Sequence, residues 1–288
     1  PNHDDALWQK SNASLAAITL IWHYEGSRER AFLEETLYPY IRELMDFWED
    51  NLTLDSSGRY VIENSAQRER TPGDLNPGSE LAAGRRITGA ALEDSETLAE
   101  RRELWQDYLA RLSDYPVMEV DGDLCYVETE NRMDVSLMDV GDNPVVLDHV
   151  YPHGAIDSDT TGKGCIIARN TLRYLNSWNQ DNGFPRIFGQ AVRAEWPGGD
   201  LLDIFKARLT SAEGPHEILR RNNTFLPRDH SYEGSGTTEF LNSMLAQAHG
   251  GVLKVFHVWP KDRDAAFKRI RVKGAFLVSG ELKDGEVA

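Results

Sequence analysis

A chain of 288 residues, 40% of them hydrophobic, is long enough to bury one large core or two smaller ones. Its formal net charge of −16 excludes the classes of protein that neutralise phosphates, so neither a nucleic-acid partner nor docking on an anionic membrane surface is expected. The longest apolar stretch, Leu15-Ala-Ala-Ile-Thr-Leu-Ile-Trp22, is far shorter than the ~20 residues of a membrane span, and no signal peptide is visible.

The first half reads as helical. Asn12 to Tyr24 forms an apolar helix ending before Gly26, and Ser27 is placed to cap the next one. There Leu33, Leu37, Ile41, Leu44, Met45 and Trp48 recur at steps of three and four, the stripe of a helix with one buried face. Pro39 lies inside that stripe, so a kink or break near Tyr38 is expected. Asp55-Ser-Ser-Gly58 reads as a turn, and residues 61–79, polar and aperiodic, as a long loop. Helices are expected over 78–94 and 96–112, the second striped by Leu98, Leu104, Trp105, Tyr108, Leu109 and Leu112.

Residues 113–165 are irregular, with a turn at Asp121-Gly122 beside a short strand from Leu124 to Glu128. Helix returns over about 163–178, 199–209 and 236–249. In the tail, Ala275-Phe-Leu-Val-Ser-Gly-Glu-Leu alternates as a strand, and Asp284-Gly285 is a hairpin turn that leads into a β region. Helix pairs joined by short loops and interrupted by long polar ones suggest a mainly α chain, an α/α solenoid or toroid. The expected division is 1–250 for the helical domain and 251–288 for linking strands and the start of a β domain. The chain opens on Pro1 without an initiator Met and stops just after a hairpin turn, so further segments are expected on both sides.

The two cysteines, Cys125 and Cys165, can pair, but two buried free thiols are the favoured reading. Candidate carboxylates stand in two polar loops: Glu69 upstream, and Asp229 and Glu233 in a Gly-rich loop just before the helix at 236–249. A carboxylic acid that donates a proton near neutral pH needs burial or a like-charged neighbour, and Arg68 and Arg70 push the other way if they point inward. Each of these acids also has a plain reading, Glu69 as a solvated loop residue and the other two as N-terminal helix stabilisers. His149 and His153 lack a third ligand at suitable spacing, so no metal is expected. Trp178, flanked by Asn176, Asn179, Gln180 and Asp181, places amides around an aromatic as a sugar site does, with Trp196 and Trp259 as further stacking candidates. Core packing is the alternative for each Trp. No phosphate-binding Gly-rich loop and no Gly-x-Ser-x-Gly elbow occurs, so neither a nucleotide cofactor nor serine hydrolysis is expected.

Several stretches resemble glycoside hydrolase family 95, the inverting α-L-fucosidases, and related proteins. They are Leu241-Asn-Ser-Met-Leu-Ala-Gln-Ala-His-Gly-Gly-Val-Leu-Lys-Val-Phe-His-Val-Trp-Pro260, Phe267-Lys-Arg-Ile-Arg-Val-Lys-Gly-Ala-Phe276 and Leu20-Ile-Trp-His-Tyr-Glu-Gly26. In Glu63-Asn-Ser-Ala-Gln-Arg-Glu-Arg-Thr71, Ser65 and Glu69 match the family's acid loop, while Asn64, Gln67 and Arg68 replace its Pro, Ser and Pro. The resemblance implies an (α/α)6 toroid, incomplete at the N-terminus, and a β-sandwich beyond it. It implies Glu69 as general acid, with Glu233, or after it Asp229, on the base side, ~6.5–9.5 Å away in an inverting enzyme. It also implies His149 near a neutral glycan substrate ending in α-linked fucose or a galactose-type sugar, beside the candidates Trp178, Asn179 and Trp259 read from the residues, no cofactor, and an extracellular or periplasmic setting. The water-activating Asn positions of the family would lie before Pro1, so these 288 residues alone are expected to be inactive. A non-catalytic carbohydrate-binding or scaffold relative is the alternative, favoured by the changed residues around Glu69.

Overall fold

The computed structural model describes residues 9–67, 73–93, 101–132, 145–155, 162–178, 186–210, 237–249 and 251–288. Two compact units emerge. The first comprises Pro1–Asp139, Val145–His149 and His153–Ala155, and the second Val140–Pro144, Val150–Pro152 and Ile156–Ala288.

In the first unit, α1 (Asn12–Ser27) is followed by a short α2 (Arg30–Phe32), a π-helical turn (Leu33–Leu37) and α3 (Tyr38–Asn51). The interruption expected at Pro39 takes the form of that π turn rather than a break. Proline has no N–H to give the carbonyl four residues back and its ring crowds it; in the turn just before, the Tyr38 N–H bonds to Leu33 O, five residues back. Helix α1 runs through Gly26 and ends on a left-handed Arg28, whose N–H bonds to Tyr24 O at 2.8 Å. The expected stripe is the buried face: Leu37, Ile41, Leu44, Met45 and Trp48 pack in one core with Ala17 and Ile21 of α1, joined by α4 (Gly78–Glu93) and α5 (Arg102–Arg111). The Trp48 indole donates to Ser14 Oγ at 3.0 Å, so even its polar atom is satisfied. Within α5, Trp105 and Tyr108 are buried while Leu104 faces solvent; Leu98 lies outside the described residues.

Two hairpins lie in this unit. Strands β1 (Thr53–Leu54) and β2 (Tyr60–Val61) flank the expected Asp55–Gly58 turn, where Asp55 Oδ1 accepts from Ser57 N and Arg59 N, both at 2.9 Å. Strands β3 (Val117–Val120) and β4 (Asp123–Tyr126) pair with Val120 opposite Asp123. Asp121 (φ 53°) and Gly122 (φ 90°) are left-handed, as a two-residue turn matched to strand twist requires.

The second unit holds α6 (Lys163–Leu175), α7 (Arg186–Arg193), α8 (Gly198–Thr210), α9 (Thr237–Leu245), a hairpin of β5 (Ala246–His249) and β6 (Val252–Val255), and the sheet β7 (Ala265–Val272), β8 (Phe276–Lys283), β9 (Glu286–Val287). Helix α7 is not evident from periodicity because it is short and carries Gly189. That glycine is where the Tyr151 ring approaches, since a Cβ would stand 2.9 Å from it. The helix expected to reach residue 249 stops at Leu245. Ala246 pairs with Val255 and His249 with Val252, so the cross-strand partner overrides the helical tendency of Ala-Gln-Ala. The tail turn is as expected, with Asp284 (φ 49°) and Gly285 (φ 83°) joining β8 to β9.

The (α/α)6 toroid is not what the chain forms. Such a toroid needs about twelve helices; the described residues hold eight of at least eight residues, and about 19% of the structure is strand in small antiparallel sheets. The helices gather in two units, with hairpins standing where a toroid has loops. Cys125 and Cys165 are both free and buried. Among the described residues no helix is long and apolar enough to cross a membrane.

Candidate functional site

The stretches 62–67 and 73–77 have almost no regular secondary structure, yet they carry several fully buried polar residues. Their backbone is held by directed bonds. Ser65 and Asp74 exchange backbone hydrogen bonds (Ser65 N to Asp74 O at 3.2 Å, Asp74 N to Ser65 O at 2.9 Å), closing a neck between the stretches 62–67 and 73–77. Asp74 also accepts from Gln67 N at 2.8 Å through Oδ2 and ion-pairs with Arg132. The Gln67 side chain bridges three elements: its oxygen accepts from Ser79 N and Oγ at 3.1 and 3.0 Å, and its amide donates to Val145 O at 3.1 Å. Asn76, left-handed at φ 51°, accepts from Ile62 N at 2.8 Å and donates to Glu130 Oε2 at 2.6 Å. Asn131 closes the far side, accepting from Leu75 N and donating to Gly73 O, both at 2.9 Å. Gln67 is thus one of the residues that hold the neck together.

Glu80, in the first turn of α4, is fully buried at 0% exposure. Its Oε1 accepts from Lys10 N at 2.7 Å and Ser11 Oγ at 3.3 Å. Burial raises the carboxyl to about 7; hydrogen bonds from the Lys10 and Ser11 backbone and from the Ser65 and Ser11 hydroxyls offset part of that rise. Glu80 is the residue that periodicity does not flag. The available signal was a lone acid entering a Leu81-Ala-Ala run at the start of a predicted helix.

Glu69 lies between the two anchored flanks in sequence, but outside the described residues, as do Asp229, Glu233 and Asn179. His149 is buried at 1% exposure in the first unit, stacked on Tyr115 (4.4 Å between centroids) and edge-on to Tyr126 (4.2 Å). Neither ring nitrogen makes a well-aligned hydrogen bond, and burial, reinforced by His153 nearby, lowers the imidazole to about 3. It is a neutral core histidine in this arrangement. In the second unit Trp178 turns its faces to Phe188 (5.7 Å) and Trp196 (5.2 Å), not to solvent. Trp259 is half-buried and its indole N–H donates to Arg263 O at 2.8 Å, which leaves that donor committed. Among the described residues no three His, Cys, Asp or Glu side chains come together as a metal would require.

No protein-family model matches the chain, and comparison with curated proteins finds no relative.

Proposed function

We propose that the protein is a glycoside hydrolase that removes a terminal α-linked fucose or galactose-type sugar from a glycan with inversion, on a scaffold other than the toroid. The observation that supports it most is the anchored neck at Ser65 and Asp74. The loop that resembles a family acid loop is tied down on both flanks by bonds from Gln67, Asn76, Asn131 and Arg132. A general acid must be held within a fraction of an ångström of its target oxygen, and a loop does this only when its stems are over-determined. In this reading Glu69 protonates the leaving oxygen while water attacks the opposite face of the sugar.

The second reading, a carbohydrate-binding or scaffold relative without turnover, is favoured by the packing of His149 and Trp178 into cores. Release of free sugar from fucosyl and galactosyl glycosides by the full protein, with Glu69→Gln alongside, separates the two. Turnover reduced at least about a hundredfold in the variant supports the acid role. Unchanged turnover in the variant sinks it, and glycan binding with no turnover in either protein favours the second reading.

A further inference from the structure

Three successive residues ahead of α1 all spend polar groups on the same place. Gln9 Nε2 donates to Gln67 O at 3.2 Å, Lys10 Nζ to Glu63 O at 2.8 Å, and Lys10 N and Ser11 Oγ both to Glu80 Oε1 at 2.7 and 3.3 Å. The strap Gln9–Ser11 and the stem Glu63–Gln67 are far apart in sequence and share no strand pairing, so these side-chain bonds are what join them. Glu80 is the one group in this set anchored in a long helix and wholly out of water. It is therefore the fixed point, and strap and stem are the parts it fixes.

We propose that Glu80 is a positioning residue: a buried latch that clasps the strap Gln9–Ser11 onto the stem Glu63–Gln67. Lys10 N–H and Ser11 O–H both donate to Oε1, so a proton on the other oxygen leaves these two bonds in place. The neutral acid holds the strap by the same acceptor as the carboxylate. That predicts an unusual pattern of tolerance. Glutamine, which keeps an acceptor oxygen in the same place, preserves the latch. Alanine, which leaves Lys10 N–H and Ser11 Oγ without their acceptor, opens it.

The Lys10 amide reports on this directly, because it lies outside any helix and its hydrogen bond goes to Glu80. Residue-resolved hydrogen exchange on the full chain compares the parent with Glu80→Ala and Glu80→Gln. Alanine is expected to speed exchange about tenfold or more at the amides of Lys10, Ser65 and Asp74, with Ile87 to Ala91 in the interior of α4 little changed, and glutamine to stay within about threefold of the parent. Should Glu80→Ala prove too unstable, the double change Gln9→Ala with Ser11→Ala removes two strap bonds and leaves the buried acid in place. It is expected to speed exchange at the same three amides about threefold. The proposal is overturned if the variants that lose bonds leave these amides protected, if they speed the α4 interior equally, or if glutamine behaves as alanine does.

The consequence for turnover rests on the acid-loop reading given above: Glu80→Ala then lowers kcat with KM little changed, and Glu80→Gln restores it. The two can fail separately. Exchange that follows the expected pattern in a protein without glycosidase activity keeps the latch and removes the enzyme, whereas activity with unaltered exchange does the reverse.

Discussion

The two units fix their irregular parts by opposite means. In the first, the neck at 62–80 is held by directional bonds among buried polar groups, with Asp74, Asn76, Gln67 and Glu80 each at or below 1% exposure. In the second, short helices are held by aromatic packing. Phe188 meets Phe205 at 5.1 Å and Phe240 at 5.2 Å, Phe205 meets Phe240 at 4.7 Å, and Trp178 meets Trp196 at 5.2 Å. Packing of this kind tolerates rearrangement so long as volume is kept, while a hydrogen-bond network loses a full desolvation penalty with each missing partner. A unit that must hold a loop in one conformation has reason to use the second device.

The largest test of that contrast is Phe188→Ala, which removes the ring at the centre of the second unit's cluster. It should cost about 3–5 kcal/mol in denaturant unfolding, whereas Phe188→Leu should cost much less. A cost below about 1 kcal/mol for alanine would mean that the cluster is not what holds that unit.

Next in size is a pH effect within the first unit, carried by two buried groups of opposite sign. Glu80 titrates near 7 when folded, above the ordinary 4.5, so its contribution is fully present below 4.5 and is lost as pH rises through about 7. His149 titrates near 3 when folded, below the ordinary 6.5, so its contribution is present above 6.5 and is lost as pH falls toward 3. Between about 4.5 and 6.5 the two slopes oppose one another. Glu80→Gln should therefore gain stability relative to the parent as pH climbs from 4.5 to 7, by on the order of 3 kcal/mol. His149→Phe should gain relative to the parent as pH drops below 6.5. Stability curves running parallel to the parent's would show that neither group titrates as its burial implies.

Asn76→Ala should cost about 2 kcal/mol, because it strands Ile62 N–H and a Glu130 oxygen and puts alanine at a left-handed φ. Asn76→Asp retains the acceptor for Ile62 but sets a second carboxylate against Glu130, and should fall between alanine and the parent. The smallest effect belongs to the exposed Arg30–Glu34 pair, 2.7 Å apart, where Arg30→Ala should shift stability by less than about 0.5 kcal/mol. A larger loss there would mean that surface charge matters more to this acidic chain than its buried network does.

Much of the local structure was legible in the residues themselves. The stripe from Leu37 to Trp48, the Asp-Gly turns at 121 and 284, and the Asp55 turn all stand where the pattern puts them. At the candidate site, the stretches 62–67 and 73–77 were legible as irregular chain, but not the bonds that hold them. Gln67 reads as a departure from a family pattern, and only its bonds to Ser79 and Val145 show that it holds the neck. Resemblance to a toroid family led the fold astray because helix stripes say which faces are buried and not how many helices share a core.

What the sequence determined by itself is whatever a few neighbouring residues settle among themselves: helix faces, proline's disruption of the ladder ahead of Tyr38, and turns whose positive φ suits glycine and asparagine or aspartate. Tertiary structure alone decided that Ala246–His249 pairs as a strand, that Glu80 is wholly buried, and that helices collect in two units and not a ring. Those outcomes depend on which distant segments remove a residue from water. Burial is a property of the partner as much as of the residue, and no local pattern names the partner.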